Sequence, residues 1–159
     1  LIEQAGFSPA ELDWIFNESS GLQAVSGQSG DMQILLDSDT DAAALAIAMF
    51  CHRLQKYLGA YLAVLGGADA IIFGGGIGEH APEIRARVLA HFEWAGIALD
   101  TAKNMSISSD LGGPIHADNS TTEVWVIPTD EAHVMAEAAR NLLTPLTTDA
   151  QSISLERNK

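Results

Sequence analysis

Residues 69–85 read Asp-Ala-Ile-Ile-Phe-Gly-Gly-Gly-Ile-Gly-Glu-His-Ala-Pro-Glu-Ile-Arg, and no other segment constrains the fold so much. Ala70, Ile71, Ile72 and Phe73 form a short, partly β-branched run that predicts a buried strand. Gly74, Gly75, Gly76 and Gly78 remove the side chains that would keep a ligand from the backbone. Pro82 suits a first helical turn, and Glu83, Ile84, Arg85, Val88, Leu89 and Phe92 continue a helical period, which predicts a helix over 82–94. A strand feeding a helix through glycines gathers free amides and the positive end of a helix dipole, which suits a phosphate. The run lacks the Lys-Ser/Thr ending of a P-loop, and Glu79 stands where the dinucleotide fingerprint needs its third glycine. A tight turn without ligand is the alternative.

The pattern recurs. Val124 to Ile127 predict a second strand, Pro128-Thr129-Asp130-Glu131 turn it, and a helix follows to about Leu143. Ile47, Phe50, Leu54, Leu58, Tyr61, Leu62 and Leu65 predict a long core helix over 41–65, stopped by Gly66-Gly67. Residues 1–23 are predicted helical, with a cap at Ser8-Pro9-Ala10-Glu11, followed by a polar loop over 22–31 and a helical turn over 32–36. From 97 to 119 the period fades into a loop around Gly112-Gly113-Pro114, with short extended pieces at 97–99 and 106–108. Strands that each feed a helix predict an α/β layer arrangement, with one domain over 1–143 and a loose tail over 144–159.

The 21 acidic against 8 basic residues leave a formal charge of -13, which argues against nucleic acid or an anionic membrane surface as partner. A nucleotide is compatible with that charge if loop amides and Mg2+ handle the phosphates locally. Cys51 is the single cysteine, so no internal disulfide forms, and a buried inert thiol in a reducing cytoplasm is expected. The longest apolar run is about half a membrane span, and the N-terminus has no signal-peptide pattern, which predicts a soluble protein. The chain begins with Leu1 rather than methionine, and a fragment of something longer is expected.

Three segments carry a resemblance: Ser26-Gly27-Gln28-Ser29-Gly30-Asp31-Met32, the run from Phe73 through Gly76-Ile77-Gly78-Glu79-His80 to Arg85, and Val126-Ile127-Pro128-Thr129-Asp130-Glu131. Together, and in this order, they resemble the C-terminal half of the acetate kinase family. Arg53, Lys56, Gly59, Ala60 and Tyr61, and the run Gly96-Ile97-Ala98-Leu99-Asp100, fit the same pattern. The resemblance implies a ribonuclease-H-like α/β domain, helices on a mixed sheet, of the actin, heat-shock chaperone and sugar kinase superfamily. It implies in-line phosphoryl transfer between ATP and acetate or propionate, with ADP and an acyl phosphate as products, Mg2+ on the phosphates, and a cytoplasmic homodimer.

By the same resemblance Asp31, Met32 and Gln33 fall at the adenosine pocket, Gly76, Ile77, Gly78, Glu79 and His80 at the nucleotide loop, and Glu131 at the metal position. Three positions depart from the family pattern: Gln33 replaces an arginine, and His80 and Asp130 each replace an asparagine. The family's catalytic arginines, histidine and acyl pocket precede the matched region, so no catalytic residue is expected here, and His52, His91, His116 and His133 are expected to pack or face solvent. The expected function is the nucleotide-binding half of an acetate or propionate kinase, inactive alone. The alternative is a non-catalytic nucleotide-binding or interaction module of the same fold.

Overall fold

A computed structural model describes residues 5–143, apart from the side chain of Glu131. The expected tail over 144–159 and the first four residues lie outside that range. The chain divides between Pro128 and Thr129 into two compact units.

In the first unit, α1 (Pro9–Glu18) starts at a capping box, with Glu11 Oε2 accepting from the Ser8 amide and Ser8 Oγ accepting from the Glu11 amide. Helix α2 (Gly21–Ser26) runs on into the loop predicted over 22–31. Its end is tied by one buried hydroxyl, because Ser26 Oγ accepts from the amides of Gln28 and Ser29 and donates to the Ser29 carbonyl. The Ser-Gly-Gln-Ser-Gly stretch is therefore a knot rather than a linker, and it delivers the chain to α3 (Met32–Leu36).

Helix α4 (Asp41–Leu65) keeps its predicted limits because both ends are fixed by local chemistry. Thr40 Oγ1 caps the Ala43 amide, and Gly66, at φ +75°, turns the chain so that Gly66 and Gly67 both donate to the Leu62 carbonyl. β1 (Ala70–Phe73) follows, then α5 (Gly75–His80), α6 (Pro82–Leu89), a 3-10 turn (Glu93–Ala95), α7 (Thr101–Ser106), β2 (Gly113–Pro114) and β3 (Glu123–Val126). The sheet order is β1-β3-β2, with β1 parallel and β2 antiparallel to β3, so the sheet is mixed as expected.

Several expectations need correction. The helix predicted over 82–94 stops at Leu89, because the chain turns at His91 with φ +71° so that Phe92 can enter the core. Residue 106 ends α7 instead of opening an extended piece, and Gly113-Pro114 pairs with β3 where a loop was expected. β1 is an edge strand whose side chains alternate, so Ile71 and Phe73 face inward while Ile72 is exposed.

Two apolar clusters result. One gathers Met32, Leu35, Ala43, Ala46, Ile47, Cys51, Ile84 and Val88 between α3, α4 and α6. The other gathers Leu62, Leu89, Phe92, Ile97, Ile115, Val124 and Val126 beneath the sheet, and Phe73 packs against both. Burial in the first cluster pushes the Cys51 thiol up, which keeps it protonated and inert. In the second unit, α8 (Glu131–Leu143) is capped by Asp130, whose Oδ1 accepts from the His133 amide. Among the described residues no helix is long and apolar enough to cross a membrane.

Candidate functional site

The site grows from the ends of two helices. Ser29 Oγ accepts from the Asp31 amide, and Asp31 Oδ1 in turn caps the Gln33 amide at 2.8 Å, so the first turn of α3 is fixed from both sides. Met32 and Leu35 bury themselves against α4, which leaves Asp31 and Gln33 outward. Some 40 residues on, the glycine run does not stay a loop as expected. Gly74 is an extended cap, Gly75 takes φ +70°, and the chain coils at once into α5. Pro82 then starts α6 one residue after α5 ends, with Ala81 between them.

These pieces enclose one open cleft of about 520 Å³, lined by Asp31, Met32, Gln33, Leu36, Asp37, Gly76, Ile77, His80, Ala81, Pro82 and Glu83. It brings together six of the eight residues expected at a nucleotide: Asp31, Met32, Gln33, Gly76, Ile77 and His80. Gly78 and Glu79 lie outside the lining. A Cβ on Gly78 would sit 3.2 Å from the Phe73 carbonyl carbon, so this glycine lets α5 press against β1. Glu79 folds back, and its Oε1 accepts from the Gly75 amide at 2.7 Å. An amide that a phosphate cradle would offer is thus held by a carboxylate of the same turn. Glu131, the expected metal ligand, opens α8 in the second unit, and its side chain is not described. Among the described residues no three His, Cys, Asp or Glu side chains gather as a metal site.

The lining carries three carboxylates, Asp31, Asp37 and Glu83, and neither lysine nor arginine. Such a surface accepts hydrogen bonds from hydroxyl and amino groups and repels anions, while Met32, Leu36 and Ile77 offer apolar area to a flat ring. His116, expected to pack, does so: its Nδ1 lies 3.1 Å from the Val124 amide nitrogen and 3.3 Å from the Val124 carbonyl oxygen.

Arg85, read from the sequence only as part of a helical period and a motif, is a buried cation beside the cleft. It is 1% exposed and stands with Ile84, Val88 and Leu89 on the buried side of α6. A cation on an apolar stripe was the available signal.

The acetokinase family model matches residues 1–137. The chain belongs to the acetokinase family. Among curated relatives, the acetate kinase of Solibacter usitatus (strain Ellin6076) is 47% identical over 142 residues, covering 86% of this chain and 34% of the relative. The chain therefore spans about a third of the length of the curated acetokinase relatives it matches. The crystal structure of Porphyromonas gingivalis acetate kinase superposes with a TM-score of 0.78 at 34% identity, over 90% of this chain and 36% of that one. A propionate kinase from Francisella tularensis subsp. tularensis SCHU S4 superposes with a TM-score of 0.68 at 32% identity, over 82% of this chain and 33% of that one. The ribonuclease-H-like α/β class expected from the sequence agrees with these neighbours.

The two glycines of α5 should respond differently to a methyl group. A Cβ on Gly76 meets nothing within 4 Å, so Gly76→Ala should gain the usual helical preference of alanine, about 0.5–1 kcal/mol. Gly78→Ala meets strand backbone and should end at least about 1 kcal/mol less stable than Gly76→Ala. Urea midpoints of the two variants test this, and equal values would contradict the close approach of α5 to β1.

Proposed function

We propose that this chain is the nucleotide-binding domain, over 1–143, of an acetate or propionate kinase, and that its cleft takes the adenosine end of ATP or ADP. The observation that supports this most is the convergence of Asp31-Met32-Gln33 with Gly76, Ile77 and His80 on one cleft, from segments far apart in sequence. The lining favours the same end of the nucleotide. Its carboxylates suit ribose hydroxyls and an exocyclic amine, its apolar side chains suit the base, and its charge disfavours the phosphates.

Phosphoryl transfer asks the protein mainly for positioning and charge neutralisation. This chain holds the nucleoside. Mg2+ keeps most of its waters and takes phosphate oxygens with one or two carboxylates, so the lack of a three-ligand cluster among the described residues is compatible with the Mg2+ role that the resemblance gives Glu131. By the resemblance, the carboxylate acceptor and the groups that stabilise the transition state precede the matched region, and on this reading the chain, which spans 34% of the relative's length, is inactive alone. Gln33 offers a neutral amide where the family pattern has a cation and a stacking plane, which weakens hold on the base. A stripe of exposed apolar residues along α4, Leu45, Met49, Tyr57 and Tyr61, supports a homodimer.

Thermal denaturation with millimolar ADP, ATP or adenosine and Mg2+ tests the reading. An upward shift is expected with each, since a ligand at 100 times its Kd adds about 2.7 kcal/mol. Gly76→Ala should weaken ADP by about tenfold while the fold persists, because the methyl group enters the cleft. No shift with any of the three would overturn nucleotide binding, and Mg2+-dependent acetyl phosphate synthesis by the purified chain would overturn its inactivity alone.

A further inference from the structure

We propose that Arg85, held by Asn104, is the positioning residue of the cleft, fixing the C-terminal end of α5 and with it Ile77 and His80; the functional part of this inference rests on the nucleotide reading.

The need begins with Pro82. In a continuous helix the Gly78 carbonyl would accept from the amide four residues later, and that residue is a proline without an N–H. Arg85 supplies the missing donor. Its Nη1 donates to the Gly78 carbonyl at 2.8 Å and to the Glu79 carbonyl at 3.0 Å. Its Nε donates to Asn104 Oδ1 at 2.7 Å, and Nη2 donates to the Asn104 carbonyl at 2.8 Å. Asn104 Nδ2 donates to the Pro82 carbonyl at 2.9 Å. The end of α5, the start of α6 and the middle of α7 thus meet at one guanidinium.

The energetics point the same way. Arg85 and Asn104 are each 1% exposed, and burial draws the arginine pKa down from its ordinary value. An apolar side chain would fill this place between Ile84 and Val88 without that penalty, so packing alone does not account for a cation here. Helix α5 has no buried residue of its own. Its core contact is the half-buried Ile77, packed against the first cluster, and the rest of its hold is the Gly78 approach to Phe73 on one side and the Arg85 hydrogen bonds on the other. Gly76, Ile77 and His80 form one wall of the cleft, so the hold on these carbonyls bears directly on that wall.

Hydrogen exchange by mass spectrometry on the 159-residue chain, with ADP and Mg2+ affinity measured alongside, tests this. In Arg85→Met, amides over 77–80 should exchange at least about tenfold faster while those of β1 and β3 hold their rates. ADP should bind about tenfold more weakly, and Arg85→Lys should recover part of the loss, since an ammonium reaches a carbonyl but lacks the planar fork. Unchanged exchange over 77–80 in folded Arg85→Met overturns the proposal, and so does an equal acceleration throughout β1 and β3. If Arg85→Met does not fold, Asn104→Ala decides, because it keeps both bonds to α5 and frees the guanidinium from its side-chain partner. About threefold faster exchange confined to 77–83 supports the proposal, and no change overturns it. A wild-type chain that binds no ADP overturns the nucleotide reading instead, and exchange still decides whether Arg85 positions the turn.

Discussion

Gly112→Ala is expected to lower stability by about 3 kcal/mol, which for a unit of this size moves the thermal midpoint by about 10 °C. Gly112 sits at φ +63°, a left-handed conformation that costs an L-residue about 1–2 kcal/mol. Its added Cβ would also collide with the Val126 carbonyl oxygen and lie 2.6 Å from Pro128 Cδ. Neither neighbour gives way easily. Val126 is paired with both Phe73 and Gly113 in the sheet, and Pro128 is a ring two residues beyond it. Gly66→Ala separates strain from collision, because Gly66 has φ +75° with nothing within 4 Å of a Cβ. It should cost only about 1 kcal/mol, and equal midpoints for the two variants would show that the collision at Gly112 is absent.

Leu35→Ala is expected to cost about 3 kcal/mol, whereas Ile34→Ala should stay within about 0.5 kcal/mol of wild type. The residues are adjacent in α3, yet Leu35 is fully buried and Ile34 is 54% exposed. Truncating Leu35 leaves a cavity against Ala43, Ala46 and Ile47 in the cluster that seats α3 on α4. That cluster also orients the first turn of α3, so ADP affinity should fall along with stability in Leu35→Ala and not in Ile34→Ala. Urea unfolding reads the stability term, with an unchanged m-value marking a true change in free energy. Equal losses in the two variants would mean that α3 sits in the opposite register.

Much of the fold was legible because its signals are local. Thr40 and Gly66 fix α4 through contacts within one helical turn, and Asp130 caps α8 in the same way. Elements that depend on distant partners were not legible. Gly113-Pro114 becomes a strand only because β3 offers it hydrogen bonds, and residues 90–94 leave the helix only because Phe92 has a core to enter. At the site, the motif residues were visible in the sequence, but their division of labour was not. Gly76 lines the cleft, while Gly78, two residues on, serves the contact with β1.

By itself the sequence determined the caps, the helical periods, the glycines that permit close approach, and the order of motifs that marks the family. These follow from bonds and sterics within a few residues. Only the tertiary structure decided that α3 and α5 face one cleft and that Arg85, tied to Asn104, replaces the donor Pro82 lacks. Each of those depends on groups that meet when the core closes, and a buried carbonyl takes whichever donor the packing brings within reach.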